Sequence, residues 1–504
     1  MYRRVETMYF WMGVLAGFFP QVCTAFNMPH PSVQGRPIKG VHIHAGSATS
    51  RHGFLIIGGM HARELMNPDA IAELLQDLVL AYVNNTGITY GGKSWSATDI
   101  RSVLETSDIW MVPCANPDGR EYCFDVDDMW RPNRHPNPNI MCSGTMNDGS
   151  IDVNRNCDIV WGVITGNTSC NPCNETYLGP NRFSEPESQN IRDFCNTHDV
   201  DVFLDVHSFS ELVLFPWGHA PTQTTNSSQR FPSLATGTCA PLNPPTHQEY
   251  MLPGDQQYFQ SVAQRIVSDI RAVRGRNYTP KAINQLYAVT GSSSDYVYSR
   301  HIANPALYKT YGFSFETGPP AASTPESFHP ADPTLIKLDT KAGIVSLLHQ
   351  PPLTPCALTF FGTTLPGSTS GLEKMRVIRD EQLATTDAGR ELIALFDRVQ
   401  FPVLGMILAD EALTKEAMEL LDISFKLLEQ EETVLTRVEV ERGSAFVDSL
   451  TSRTSDKDVL TDLETVRKQL AASADKSFAR ILQGLAGTTA RAVAKKPTKP
   501  RPKK

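Results

Sequence analysis

The sequence lacks any run of eighteen apolar residues, so no stretch of it reads as a membrane-spanning helix. It shows no internal repeat, which sets aside solenoid and propeller architectures. It has no paired Cys-x-x-Cys motifs at zinc-ribbon spacing; "CNPC" at 170–173 stands alone. Ten cysteines in 504 residues are too few for a disulfide-scaffolded mini-protein. Six of them (Cys114, Cys123, Cys142, Cys157, Cys170 and Cys173) fall within sixty residues, which reads as disulfides in an oxidising compartment rather than a redox motif. Basic charge is scarce outside the end of the chain. Net charge is −8, and the last fourteen residues alone hold seven Lys or Arg and no acid, so the remainder carries about −15. An acidic body argues against a nucleic-acid partner.

What is present is a globular α/β pattern, with apolar residues at 41%. "GVHIHAG", "GFLIIGG", "DIWMVPC", "DVFLDVHS" and "YGFSFET" read as short buried strands. Helical periods over 68–82, 185–197 and 256–274 alternate with them, which predicts an α/β sheet with helices on both faces. A Pro-, Thr-, Ser- and Asn-rich stretch over 217–254 reads as an insertion. From about 372 to 487 the chain is charge-rich and helical in period. From 493 it is dense in Lys and Pro, a composition expected to be disordered.

Chemistry concentrates where apolar runs end. "LIIGGMHARE" places His61 and Glu64 three apart, just after a predicted strand. Imidazole and carboxylate are good zinc ligands. With 13 histidines, about one such pair is expected by chance, and on spacing alone it also reads as a helix start with solvated charges. Position favours the ligand reading, because open α/β sheets place sites at strand carboxyl ends. His207 directly follows the strand of "FLDVHSFSE" and completes a His₂Glu set, although a lone His there also reads as a satisfied core histidine. Glu316 ends "YGFSFETG"; a carboxylate in that setting is costly unless paired or functional, and near a metal it suits a general base. It could equally cap a helix or lie on the surface. Arg131 in "DMWRPNR", and Asn154 and Arg155 in "IDVNRNCD", offer groups suited to a carboxylate or an oxyanion.

Together these stretches, with "NPDG" and "LYAVTGSSSDY" in the same order, resemble the zinc carboxypeptidases of the A/B type over roughly residues 8–350. The resemblance implies a mixed, mostly parallel twisted sheet with helices on both faces. It implies one Zn²⁺ per chain, held by His61, Glu64 and His207. It casts Glu316 as the base that activates water and passes a proton to the leaving amine, and Arg131 as the group that polarises the scissile carbonyl and stabilises the oxyanion. Asn154, Arg155 and Tyr287 are implied to hold the substrate's terminal carboxylate, with Arg63 lining the substrate path and Asp152 orienting His61. A Cys142–Cys173 disulfide is also implied. Cys157 and Cys170 have no counterpart in the resemblance and are the candidates for a second bridge.

Ser294 falls where the family sets the floor of the pocket for the terminal side chain, with Ala282, Val289 and Ser292 around it. Relatives that prefer Lys or Arg carry an Asp there. A small hydroxyl predicts neutral, apolar or aromatic C-terminal residues, because a cation would be desolvated unpaired. Leu65, Cys157 and Phe209 depart from the family's usual residues, and none of them is a ligand or the base. The N-terminal segment has roughly the grammar of a signal peptide. Spacing to "GRPI" instead matches the family's first helix, so residues 5–19 are expected to be a domain helix, in a domain whose N-terminal part is incomplete and which lacks the family's propeptide.

The expected organisation is a catalytic domain over 1–350, a linker over 351–371, a helical region of unknown role over 372–490 and a basic tail over 491–504. The expected protein is a secreted monomer acting on the C-termini of peptides and proteins. The competing readings are an amidohydrolase, deacylase or cell-wall peptide hydrolase on the same scaffold, and a catalytically silent binding module.

Overall fold

A computed structural model describes residues 2–48, 51–137, 140, 142, 148–231, 239–241, 246–252, 254–319, 324–349, 391–392, 395–396, 403, 406–407, 410–429, 434–477 and 480–481. The expected linker (351–371) and basic tail (491–504) lie outside them. By internal contacts the chain divides into two units, Met1–Leu252 with Phe259–Gln350, and Pro253–Tyr258 with Pro351–Lys504.

The first unit is built on an eight-stranded sheet. Its strands are β1 (Cys23–Asn27), β2 (Lys39–Ile43), β3 (His52–Gly58), β4 (Ser107–Val112), β5 (Val202–His207), β6 (Leu212–Phe215), β7 (Thr279–Ala282) and β8 (Tyr311–Glu316). Their spatial order is β1-β2-β4-β3-β5-β8-β6-β7. The four pairings β4–β3, β3–β5, β5–β8 and β6–β7 are parallel, and the remaining three are antiparallel. The five predicted strands are β2, β3, β4, β5 and β8. Every residue of β5 and β8 is buried, as expected for central strands covered on both faces.

The helices follow their apolar periods. Those of eight or more residues are α1 (Val5–Phe18), α2 (Met66–Asn84), α3 (Ala97–Thr106), α4 (Pro117–Asp125), α5 (Pro186–Thr197), α6 (Asp255–Arg274), α7 (Ser293–Ala303) and α8 (Thr334–Leu348). In α2, Ile71, Leu74, Leu75 and Leu78 recur at helical spacing and are buried; each contributes roughly 1.5–3 kcal/mol. The helix ends at Asn85, which takes a left-handed conformation with φ 53°. Ser96 and Asp99 form a reciprocal capping box that starts α3. The segment expected as a domain helix is α1, which buries Val5, Met8, Tyr9 and Met12. Its first backbone N–H donates to the Glu121 carboxylate at 2.8 Å. In the second unit the described helices are α9 (Glu411–Glu429), α10 (Arg437–Thr451) and α11 (Lys457–Ala472). The expectation of an all-helical extension needs one amendment, because Val434–Leu435 pairs antiparallel with Lys476–Ser477.

The stretch read as an insertion carries short strands. Thr222–Thr224 pairs parallel with Gln248–Tyr250, and Ala240–Pro241 pairs with Val163–Ile164. Cys142 and Cys173 are disulfide-bonded. The proposed Cys157–Cys170 bridge is not formed. Cys170 bonds Cys239 across 69 residues, while Cys157 is a buried free thiol whose pKa burial drives well upward. The partner of Cys170 comes from the insertion, because Ala240–Pro241 pairs with Val163–Ile164 and so brings Cys239 to the Cys170 loop.

A pair of buried acids shapes the start of α5. Glu187 accepts from Val33 N–H at 3.1 Å and from Asn133 Nδ2 at 3.2 Å. Burial, with Glu185 adding like charge, pushes the Glu187 carboxyl from 4.5 up to about 8. The folded state therefore favours the protonated acid. That contribution is complete below about pH 4.5 and is lost as pH rises through about 8. Glu187→Gln should match the parent in thermal midpoint at acid pH and exceed it at alkaline pH. Parallel melting curves with the opposite trend would refute the assignment.

Candidate metal centre and active site

The ends of β3, β5 and β8 and the loops bearing Arg131 and Asp152–Arg155 converge on the site. Gly59 takes φ +64° and turns the chain out of β3, a conformation that suits glycine. The "MHARE" loop that follows is held from outside. Asn116 caps α4 through Gly119 N–H and donates from Nδ2 to Met60 O at 3.1 Å and Pro132 O at 2.9 Å. One buried amide thus ties the loop bearing His61 to the loop bearing Arg131. His207 is the last residue of β5 and Glu316 the last of β8, and the two are register partners.

His61, Glu64 and His207 are buried, and one donor atom from each lies within 4.8 Å of the others. His61 Nδ1 is 2.7 Å from Glu64 Oε1, and His207 Nδ1 is 3.1 Å from Glu64 Oε2. The two Nδ1 atoms face each other at 3.1 Å. The outer nitrogens are held by carboxylates, His61 Nε2 by Asp152 Oδ1 at 3.2 Å and His207 Nε2 by Asp205 Oδ2 at 2.9 Å. Those partners place the protons on Nε2 and turn the Nδ1 lone pairs inward. Without an ion, burial alone would discharge Glu64 and His207, but mutual attraction outweighs it. His61 and His207 hold Glu64 far below the usual carboxylate range, and Asp205 and Glu64 hold His207 well above the usual imidazole range. Two imidazoles and a carboxylate with this orientation fit a zinc ion.

Asp152 connects the centre to its surroundings. Burial opposes its charge, but Arg131, Arg155 and His61 keep its carboxyl well below the usual range. Its Oδ2 accepts from Arg131 Nε at 2.9 Å, and its Oδ1 accepts from Asn154 N–H at 3.0 Å. Asn154 lies beside His207, with Nδ2 3.2 Å from its Nε2, and accepts Ser293 N–H at 2.8 Å. Arg155 donates to Asn167 O and Asn154 O, and its guanidinium stands 6.0 Å from the half-buried Tyr287 ring. Gly291 packs so closely that a Cβ there would lie 2.2 Å from Arg155 O. Arg63 is paired with Glu175 at 2.8 Å and stacked over Phe328. Ser294 is fully buried, sharing a hydrogen bond with Ser314 Oγ at 2.7 Å and donating to Phe313 O. Glu316 is raised to about 8, chiefly by burial, with Glu64 adding to the shift and His207 and Arg131 opposing it.

Two residues escaped the sequence reading. Asp205 lies two positions before His207 on the same face of β5, and that alternation was the available signal. Glu175 carries no sequence signal; it reaches Arg63 from the loop between the disulfide-bonded cysteines and α5.

A His₂Glu donor set at the carboxyl ends of an α/β sheet, beside a buried carboxylate, defines the class of zinc hydrolases. The zinc carboxypeptidase family model matches residues 8–341. A carboxypeptidase B from Helicoverpa zea is 28% identical over 62% of this chain and 63% of its own length. A zinc carboxypeptidase from Simulium vittatum is 30% identical over 59% of this chain and 81% of its own. A protein from Arthroderma otae named an inactive metallocarboxypeptidase is 28% identical over 59% and 47%. Among solved structures, carboxypeptidase A from Helicoverpa armigera superposes with TM-score 0.50 at 22% identity, over 69% of this chain and 74% of that one. The chain belongs to the zinc carboxypeptidase family. It spans less than two thirds of the length of several of these relatives.

Asp205→Asn should weaken zinc binding by about 10–100-fold with the fold intact. Competition with a chromophoric chelator measures this, and an unchanged affinity would remove Asp205 from the site's support.

Proposed function

We propose that residues 1–350 form a zinc-dependent carboxypeptidase that hydrolyses the C-terminal peptide bond of peptides and proteins. The observation that carries this reading is the register pairing of Glu316 with His207, which sets a buried carboxylate beside the His61, Glu64 and His207 donors. Zinc, when held by those three residues, would supply Lewis acidity, activating water and polarising a carbonyl. Glu316 takes a proton from the attacking water and delivers it to the departing amine. Arg131, aimed by Asp152, stabilises negative charge developing on the carbonyl oxygen. Asn154, Arg155 and Tyr287 bind the terminal carboxylate, and Arg63 lines the approach.

The Ser294 hydroxyl bonds only neutral partners, Ser314 and Phe313 O, among its hydrogen bonds. A neutral pocket floor supports a preference for apolar or aromatic C-terminal residues. The donors all come from one chain, so a monomer suffices. Two disulfides support an extracellular setting, and no helix among the described residues is long and apolar enough to cross a membrane. The name of the Arthroderma relative keeps a catalytically silent module as the competing reading. The presence of Glu316 favours hydrolysis.

Blocked dipeptides ending in Phe and in Arg, assayed with and without a chelator, test the proposal. Chelator-sensitive release of Phe alone is expected. Release of Arg would overturn the pocket assignment, and release of neither by zinc-loaded protein would favour the silent module. Glu316→Gln should lower kcat by about 10²–10⁴-fold while zinc content stays at the parent level. Ser294→Asp should gain release of Arg at the expense of Phe; an unchanged ratio would place the pocket floor elsewhere.

A further inference from the structure

A second set of metal-type donors lies in the insertion, built from residues with no part in the proposed hydrolysis. His219 follows β6, and His247 and Glu249 flank the start of the Gln248–Tyr250 strand. His219 Nε2 and His247 Nε2 each lie 2.9 Å from the same oxygen, Glu249 Oε2. One ligand atom from each residue lies within 4.8 Å of the others, and the three residues are 1%, 6% and 0% exposed. The other carboxylate oxygen is already occupied, since Oε1 accepts Phe231 N–H and Tyr250 N–H at 2.9 Å each. The backbone therefore fixes the carboxylate so that Oε2 faces the two imidazoles.

The surroundings argue for a cation. Asp295 stands behind His219, with Oδ2 3.6 Å from His219 Nδ1. That oxygen accepts Gly218 N–H at 2.8 Å, while Asp295 Oδ1 and His219 Nδ1 are both buried without a hydrogen-bond partner. Two buried carboxylates thus face two imidazoles. A divalent ion on the His219, His247 and Glu249 donors balances both negative charges with neutral imidazoles. It also sets the proton of His219 on Nδ1, turned toward Asp295, as Asp152 and Asp205 face the outer nitrogens of His61 and His207. Imidazole donors disfavour calcium and magnesium, which take oxygen ligands.

We propose that His219, His247 and Glu249 form a second, structural zinc site that pins the Gln248–Tyr250 strand to the segment leaving β6. The Cys170–Cys239 disulfide ties one part of the insertion, and the ion ties the part beyond it. The site also holds His219 and Gly218 against Asp295, the neighbour of Ser294.

Zinc counted by mass spectrometry on the full chain, after dialysis against metal-free buffer, decides the matter. Two zinc ions per chain are expected in the parent. One is expected in His247→Gln, and one in a variant carrying both His61→Ala and His207→Ala. Joining all three substitutions should leave none. A parent holding a single zinc that His247→Gln retains overturns the proposal, as does a count of two that His247→Gln leaves unchanged. Should His247→Gln fail to fold, the His61→Ala and His207→Ala protein still decides: folded by circular dichroism and free of zinc, it refutes the second site. None of these readings depends on hydrolysis, so failure of the proposed activity and failure of this site are separable.

Discussion

The Asp152 carboxylate is the contact on which the centre depends. It is fully buried, and four positive or donating groups meet on it: His61 Nε2, the Arg131 and Arg155 guanidiniums and the Asn154 N–H. A bare carboxylate in that position would be driven toward neutrality, and its partners prevent this. In return, one rigid group sets the ring plane of a metal ligand, the aim of the residue proposed to face the oxyanion, and the backbone of a residue proposed to hold the substrate. Three parts of the site that are far apart in sequence share one anchor. Strong coupling among their substitutions follows from that geometry.

Much of this was legible in the sequence because buried central strands are nearly pure apolar runs. β3, β4, β5 and β8 could be read for that reason, and their ends pointed to His61, His207 and Glu316. β6 and β7 could not be read in the same way. "LVLF" is four residues long, and "TPKA" is polar and contains proline; each is a strand because of what it pairs with. The second disulfide was misread because the resemblance left Cys157 and Cys170 without counterparts, while the pairing of Ala240–Pro241 with Val163–Ile164 that brings Cys239 to Cys170 has no signal in the sequence. Asp205 was overlooked because a charged residue inside an apolar run has meaning only once the face it shares with His207 is known.

The insertion shows how a loop-rich segment is ordered without a core of its own. Its short strands pair along only two or three residues, and it gains order from links to the larger unit. A disulfide supplies one link, and Asp295, which accepts Gly218 N–H beside the buried cluster of His219, His247 and Glu249, supplies another. Composition signalled the insertion, but it carried no information about which residues would meet.

The β5–β8 ladder joins His207 to Glu316 by backbone register. A slip of one residue would turn one of the two side chains to the opposite face of the sheet, so no gradual displacement of either is available. The centre is therefore present whole or absent. Core substitutions in these strands, such as at Phe203 or Phe313, would change the share of molecules that are competent rather than the speed of each one. Dose and turnover are thereby decoupled: folding sets the number of working copies, and the residues at the strand ends set what each copy does.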